Sequence, residues 1–563
     1  MTEFLFVFGL AIALAWPLGR YLAAIMRGAP MRGDRLFVLL ERPLYRLLGV
    51  NPAQGMGWKT YAGAFLLSNL VLGLLVWLML MNQQWLPLNP NAAPNIRWDL
   101  ALHTAVSFLT NTNQQHYSGQ AQLSYLAQMS AIVGLQVITP MMGLALVVAT
   151  LRGLFGGRRQ VAKDEAADVG NFWADLIRPT VRLFLPLCLV LSVLLTWQGV
   201  PSTLDGGPLA TLLDGAAQIS EQKIPLGPVA AMVAAKQLGT NGGGWYGPNS
   251  ATPLENPTPL SNLLETLALI LLPISVVFMV GSLTGRAKLS ALIFGCMLSM
   301  SLMSAGIALW SEGHSASSSD SALMEGKEVR FGADASALWA ALTTQTSNGS
   351  VNAMHDSLAP LTSMVSIANM LVNAIWGGVG CGLQQFLVYL LLSVFLAGLM
   401  TGRTPELLGR KIEAPEVKCL AVLILLQPLV ILGFTALTLL LPDLAGTSNP
   451  GAHAISQVLY EYTSAFANNG SGFEGLGDAS YWWNLTCVVA LILGRYPALI
   501  LPLIIAAMLA RKRVTPEGPG TLQIETPTFA LTLMAIIAIL TLLQFMPVLV
   551  LGPMADHLQF ITR

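Results

Sequence analysis

Four short polar strips in an otherwise apolar chain carry the residue types needed to replace the water around a small cation. They read A-V-S-F-L-T-N-T-N (Ala105 to Asn113), A-A-K-Q-L-G-T-N-G-G-G (Ala234 to Gly244), L-T-T-Q-T-S-N-G-S (Leu342 to Ser350) and T-S-A-F-A-N-N-G-S-G (Thr463 to Gly472). Each is a helix-like run followed by a hydroxyl or amide residue, an Asn and, in three of the four, a Gly. A bare alkali ion needs oxygens in place of its hydration shell, and backbone carbonyls supply them when they all point inward. Such a run needs unusual dihedrals. Gly adopts positive φ without a Cβ clash, and Asn is among the few other residues that tolerate it. No carboxylate lies in the filter segments themselves, which suits a singly charged ion better than Ca²⁺. The helix-like runs before them would aim their carbonyl ends, and so negative potential, at the ion. One T-N-G alone is only a turn signal. Marked by Asn113, Asn241, Asn348 and Asn469, the four recur at intervals of about 105–130 residues, which makes them an internal repeat.

The elements that must position these strips follow from the composition. Of 563 residues, 54% are hydrophobic and 10% charged, against about 25% charged in a soluble domain. Mean hydropathy is +0.63. A helix needs about 20 apolar residues to cross the hydrocarbon. Ten stretches qualify, at 3–24, 61–81, 125–150, 183–199, 263–284, 289–310, 367–400, 419–441, 485–510 and 528–550. The long seventh and ninth are candidates for tilt, a break or an extension. The expected fold is an all-α polytopic membrane protein of ten transmembrane helices, in which helix, pore loop and helix repeat four times with pseudo-symmetry. The expected division is an N-terminal extra helix and cytoplasmic loop at 1–58, repeats at 59–152, 183–285, 289–402 and 419–510, and a C-terminal extra helix at 528–563. Met1 to Leu22 lacks a basic leader region and reads as a retained span rather than a signal peptide.

Basic residues orient the chain. Five connections hold most of the 29 Lys and Arg: Arg20 to Lys59, Arg152 to Arg182, Arg286 and Lys288, Arg403 to Lys418, and Arg511 to Arg513. They alternate with the spans, so they share one side, the cytoplasmic one by the positive-inside rule, with both termini outside. The four strips all fall in the opposite, outward connections, at 82–124, 200–262, 311–366 and 442–484. Four half-spanning loops that meet on one axis have the geometry of a K⁺-channel filter.

The segments S-F-L-T-N-T-N, L-G-T-N-G-G-G, T-S-N-G-S-V-N and A-N-N-G-S-G-F resemble the filter segments of the potassium-binding A subunit family of the bacterial Kdp potassium-transporting ATPase. The resemblance extends over the ten spans and the chain length. It implies potassium-binding positions at Asn111, Thr112 and Asn113; Thr240, Asn241 and Gly242; Ser347, Asn348 and Gly349; and Asn468, Asn469 and Gly470. It places Gln115 at the outer mouth. The first segment departs from the other three in lacking Gly. The resemblance further implies K⁺ as the transported ligand, no organic cofactor, and residence in a bacterial inner membrane. The partners it implies are a P-type ATPase catalytic subunit (KdpB-like), a KdpC-like subunit and a small KdpF-like peptide, with membrane lipid and without nucleic acid. No D-K-T-G site and no phosphate-binding G-x-x-x-x-G-K-[ST] loop is present, so the chain alone is not expected to hydrolyse ATP. The alternative within the same superfamily is a stand-alone K⁺ channel or Na⁺/K⁺ symporter.

Other residues weigh differently. Gly377-Gly378-Val379-Gly380-Cys381-Gly382 interrupts the seventh span. It lacks the βαβ setting of a dinucleotide fingerprint. It reads either as close helix packing or as an unwound break below the filter that diverts the ion. Arg495 inside the ninth span is expected to face the pore or an ion partner, and Arg403 at the end of the seventh either snorkels or joins the gate. Cys188, Cys296, Cys381, Cys419 and Cys487 form no CxxC pair and read as inert thiols. His103, His116, His314 and His355 show no metal-ligand spacing. Glu255, Glu265, Asp356, Glu461 and Glu474 form no recognisable catalytic set, which counts against a membrane enzyme.

Overall fold

Ten helices among the described residues are long and apolar enough to cross a bilayer: Glu3–Arg27, Trp58–Trp85, Ala127–Phe155, Phe172–Trp197, Pro259–Thr284, Ala287–Gly313, Cys381–Met400, Ala414–Leu439, Tyr481–Ala510 and Pro527–Gln559. They match the ten expected spans one for one. The computed structural model describes residues 2–31, 33–156, 168–213, 220–314, 324–516 and 522–562. The basic residues Arg32, Arg158, Arg159 and Lys163 lie outside them. The third and fifth spans are mostly buried, whereas the second keeps most of its surface exposed. An apolar side chain gains nothing by leaving lipid, so this difference separates inner helices from a lipid-facing wall.

The seventh stretch is broken, as its glycines suggested. A helix at Pro360–Val372 ends on Asn373, whose φ is +47°. The chain then unwinds through Gly377 (φ +59°) and Gly380 (φ +90°) before the span Cys381–Met400 begins. The ninth, by contrast, continues as one helix of 30 residues despite Pro497 and Pro502.

Four shorter helices dip between spans: Trp98–Leu109, Val229–Leu238, Gly332–Gln345 and Ala452–Phe466. At 12, 10, 14 and 15 residues they are too short to cross. They are nonetheless largely buried, because each is ringed by its repeat's spans. These are the pore helices.

The basic connections meet at one end of the bundle. The Met56 amide donates to the Gly170 carbonyl at 2.8 Å. Arg410 Nη1 donates to the Leu154 carbonyl at 2.8 Å, the Thr515 amide to the Gly409 carbonyl at 2.8 Å, and Arg286 pairs with Glu525 at 2.8 Å. All five therefore share a face, opposite to the one that the pore helices enter.

Candidate functional site

Each pore helix ends two residues short of a left-handed turn. Positive φ occurs at Asn111 (+62°), Thr240 (+50°), Ser347 (+50°) and Asn468 (+54°). It skips one residue and recurs at Asn113 (+59°), Gly242 (+88°), Gly349 (+86°) and Gly470 (+102°). Residues of alternating hand turn successive peptide planes the same way, so a run of carbonyls faces one side and the amides the other. The dihedrals also correct the register. Thr112, not Asn113, is the counterpart of Asn241, Asn348 and Asn469, and Asn113 stands where the other segments have Gly.

The segments close into a ring. A Cβ on Gly242 would lie 2.0 Å from the Asn348 carbonyl oxygen, one on Gly349 2.1 Å from that of Asn469, and one on Gly470 2.0 Å from that of Thr112. Three corners therefore pack backbone on backbone. At the fourth corner the missing space is on the other strand. A Cβ on Gly243 would meet Phe108 Cζ at 2.7 Å and Asn113 Cβ at 2.8 Å, which gives the second segment a reason for its extra glycine. Gln136 Nε2 holds this corner by donating to Asn113 Oδ1 (3.0 Å) and the Gly243 carbonyl (2.7 Å).

The side chains of the middle residues are struts. Asn241 Nδ2 donates to the Gln136 carbonyl (2.8 Å), Asn348 Nδ2 to that of Lys236 (3.2 Å) and Asn469 Nδ2 to that of Thr343 (2.9 Å), each reaching into the preceding repeat. Asn468 Nδ2 donates to Thr112 Oγ1 at 3.0 Å. Gln115 likewise clasps the second segment. Its Nε2 donates to the Gly244 carbonyl at 3.0 Å and its Oε1 accepts from the Gly244 amide at 2.9 Å. Thr240, β-branched at positive φ, is held by the Asn111 amide on its carbonyl (2.9 Å). A strained residue costs of order 1–3 kcal/mol and persists only where its surroundings enforce it.

Directly beneath the ring, a cavity of about 30 Å³, room for a single water-sized particle, is bounded by Asn111, Ser347 and Asn468 above and by Asn373, Gly378 and Arg495 below. The unwound segment forms its floor. The Val379 amide donates to Thr240 Oγ1 at 3.1 Å and Ser347 Oγ to Asn373 Oδ1 at 2.9 Å. Gly380 lies against the third span, where a Cβ would sit 2.9 Å from the Gly143 oxygen, and Gly377 packs on Gly382. Arg495 is buried and donates from Nη1 to Cys381 Sγ at 2.8 Å. Among the described residues no carboxylate pairs with it, and it borders the cavity under the ring. Arg403 is not brought here. It is exposed in the turn after Met400, where a long cation reaches the interface.

Residues 5–558 match the family described as the potassium-transporting ATPase A subunit. The chain belongs to that family, KdpA. Among similar proteins, one from Gloeobacter violaceus is 45% identical over 562 residues, covering 97% of this chain and 96% of its own. One from Pseudomonas putida is 46% identical over 549 residues (96% and 95%), and one from Pseudomonas aeruginosa is 45% identical over 559 residues (98% and 97%). All three are named potassium-transporting ATPase potassium-binding subunits. A crystal structure of the potassium transporter TrkH from Vibrio parahaemolyticus aligns with a TM-score of 0.49 at 14% identity, over 87% of this chain and 97% of that one.

Within this KdpA-family chain, the acids that looked scattered in sequence form supports behind the ring. Lys236 on the second pore helix is fully buried and pairs with equally buried Glu255. Glu265 accepts from Gln237 Nε2 (2.8 Å) and Ser250 Oγ (2.7 Å). Behind the corner of segments four and one, Glu461 accepts from Gln114 Nε2. His116 Nε2 lies 3.3 Å from Glu461, its Nδ1 donates to Asn484 Oδ1 (2.8 Å), and it stacks on His103 with centroids 3.8 Å apart. Burial works against a charged His116, but Asp478 and Glu461 outweigh it and raise its pKa. Burial raises the Glu474 pKa to about 8. Its carboxyl accepts from the His355 amide at 2.8 Å. These groups escaped the sequence reading because their partners are up to hundreds of positions away.

Proposed function

We infer that this chain strips and binds K⁺ with the main-chain oxygens of the four segments, and is the non-catalytic, potassium-capturing subunit of an ATP-driven K⁺ uptake pump. One observation carries the reading: four pore helices deliver runs of alternating hand into a single closed ring, with the helices' negative ends turned to its centre. The binding positions are residues 111–113, 240–242, 347–349 and 468–470. K⁺ enters from the outward face and is the transported ligand.

The floor formed by 377–380 and the guanidinium of Arg495 oppose straight passage of a cation through the bundle. An ion released from the ring needs another exit, and a partner P-type ATPase subunit, which hydrolyses ATP, supplies both the exit and the work. A KdpC-like subunit and a KdpF-like peptide complete the assembly. The clustered basic loops support a cytoplasmic side for that face and outward termini, and the membrane in this reading is a bacterial inner membrane. The test is purification of the tagged chain in mild detergent, followed by reconstitution. Co-isolation of a P-type ATPase chain, with no K⁺ flux by this chain alone in liposomes, is expected. Sustained flux by the chain alone would favour the channel or symporter reading.

A further inference from the structure

The connection after the first span is not a simple basic loop. Asp34–Leu47 is a helix with three distinct sectors, each spread over three turns. Asp34, Glu41 and Tyr45 face the bundle. Buried Arg182, at the start of the fourth span, pairs with Asp34 at 2.8 Å and with Glu41 at 2.5 Å, and Tyr45 packs on Ile177 and Val181. At 3.6 residues per turn, Arg35, Arg42 and Arg46 lie roughly 100° around the helix from this face, and Leu36, Leu40 and Leu47 roughly 220° around it. The three arginines are exposed and none pairs with a carboxylate among the described residues. The leucines are 65%, 57% and 84% exposed.

We propose that this helix lies in the headgroup layer of the leaflet on the basic side, with its leucines in the acyl boundary and Arg35, Arg42 and Arg46 forming a binding face for anionic phospholipid headgroups. Three sectors about a third of a turn apart fit the angle between a protein wall and a leaflet surface: one for the bundle, one for hydrocarbon, one for headgroups. The fourth span, which the helix packs against, exposes Leu189, Val190 and Val193 further along. The arginine sector supplies the charge that anionic lipid requires. The Arg182 pairs fix the helix's rotation, so the leucines cannot turn inward.

The test uses the full chain in its native membrane. A benzophenone amino acid placed at Leu40, which is 57% exposed, is irradiated and the adduct weighed. A phospholipid adduct is expected. An adduct to another protein chain, or none, overturns the proposal. Native mass spectrometry in phosphatidylglycerol-containing nanodiscs then reads the charge sector. R35Q/R42Q/R46Q should weaken phosphatidylglycerol retention by up to about 100-fold, roughly five-fold per arginine, and leave phosphatidylcholine retention unchanged. Equal retention of phosphatidylglycerol by both forms overturns the arginine face.

Discussion

Three corners of the ring and the fourth solve one packing problem in opposite ways. At the corners after segments two, three and four, a glycine lets the neighbouring carbonyl come within a distance no Cβ survives. At the corner of segments one and two the residue of positive φ is Asn113, and the glycine has moved across the interface to Gly243. The first segment is thus not a degraded copy. Its side chain fills room that the partner strand vacates, and Gln136 ties the two together. Pseudo-symmetry is kept in the backbone dihedrals while the side chains differ from corner to corner.

The largest expected effect comes from breaking a glycine corner. Gly349→Ala puts a methyl 2.1 Å from a backbone oxygen at φ +86°, where neither atom can yield. K⁺ binding by the purified chain, followed by titration calorimetry, should weaken more than 100-fold, beyond the cost of about 1–2 kcal/mol for a left-handed non-glycine alone. Binding within ten-fold of the parent would break the comparison. Gly243→Ala should cost less, about 10–30-fold, because its obstacles, Phe108 and Asn113, are side chains that can shift. Asn113→Gly should then restore part of the loss, the remainder staying with Phe108, a coupling of about 1 kcal/mol between contacting residues. Additive effects would mean that the two positions do not share space.

A third test contrasts the ring with the floor under it. Gly378→Ala brings a methyl 3.1 Å from Thr240 Oγ1, and Gly380→Ala strains φ +90° against the third span. In the reconstituted pump these should lower ATP-coupled K⁺ uptake about ten-fold while changing K⁺ binding by less than three-fold. Unchanged coupling would return the glycines to plain helix packing.

The spans were legible because lipid leaves a chain no alternative to long apolar helices, and the four strips because carbonyl coordination admits few residue types. The break at 377–380 was legible for the same reason. The marker Asn113 was misplaced by one, since the dihedrals align Thr112 with Asn241, Asn348 and Asn469, as the implied triplets 111–113 and 240–242 do, and a hydroxyl can strut as an amide does. The helix Asp34–Leu47 was hidden by its arginines, which dominated the reading of that loop, although leucines at 36, 40 and 47 already trace one face. The Lys236–Glu255 and His116–Glu461 pairs carry no local pattern at all, since folding alone brings them together.

The smallest effect sharpens the comparison from the outer end of the fourth pore helix. His453 at its start is hydrogen-bonded to Asp356 at 2.9 Å and to Asp556 at 2.9 Å, and these bonds raise its pKa to about 9. The unfolded chain holds that proton with a pKa near 6.5. The folded chain binds it more tightly, so the contribution is complete below about pH 6.5 and disappears as the pH climbs through 9. Thermal unfolding in detergent should drop by about 1–3 °C between pH 6.5 and 9.5, a modest amount because the group is partly solvated. His453→Gln should flatten that profile and leave the Asn113–Gly243 coupling untouched, because the tie grips the end of the fourth pore helix that lies farthest from its filter segment. A melting temperature that rises over this range, or a coupling that changes with His453, would mean that the corners act as one unit rather than as separately built joints.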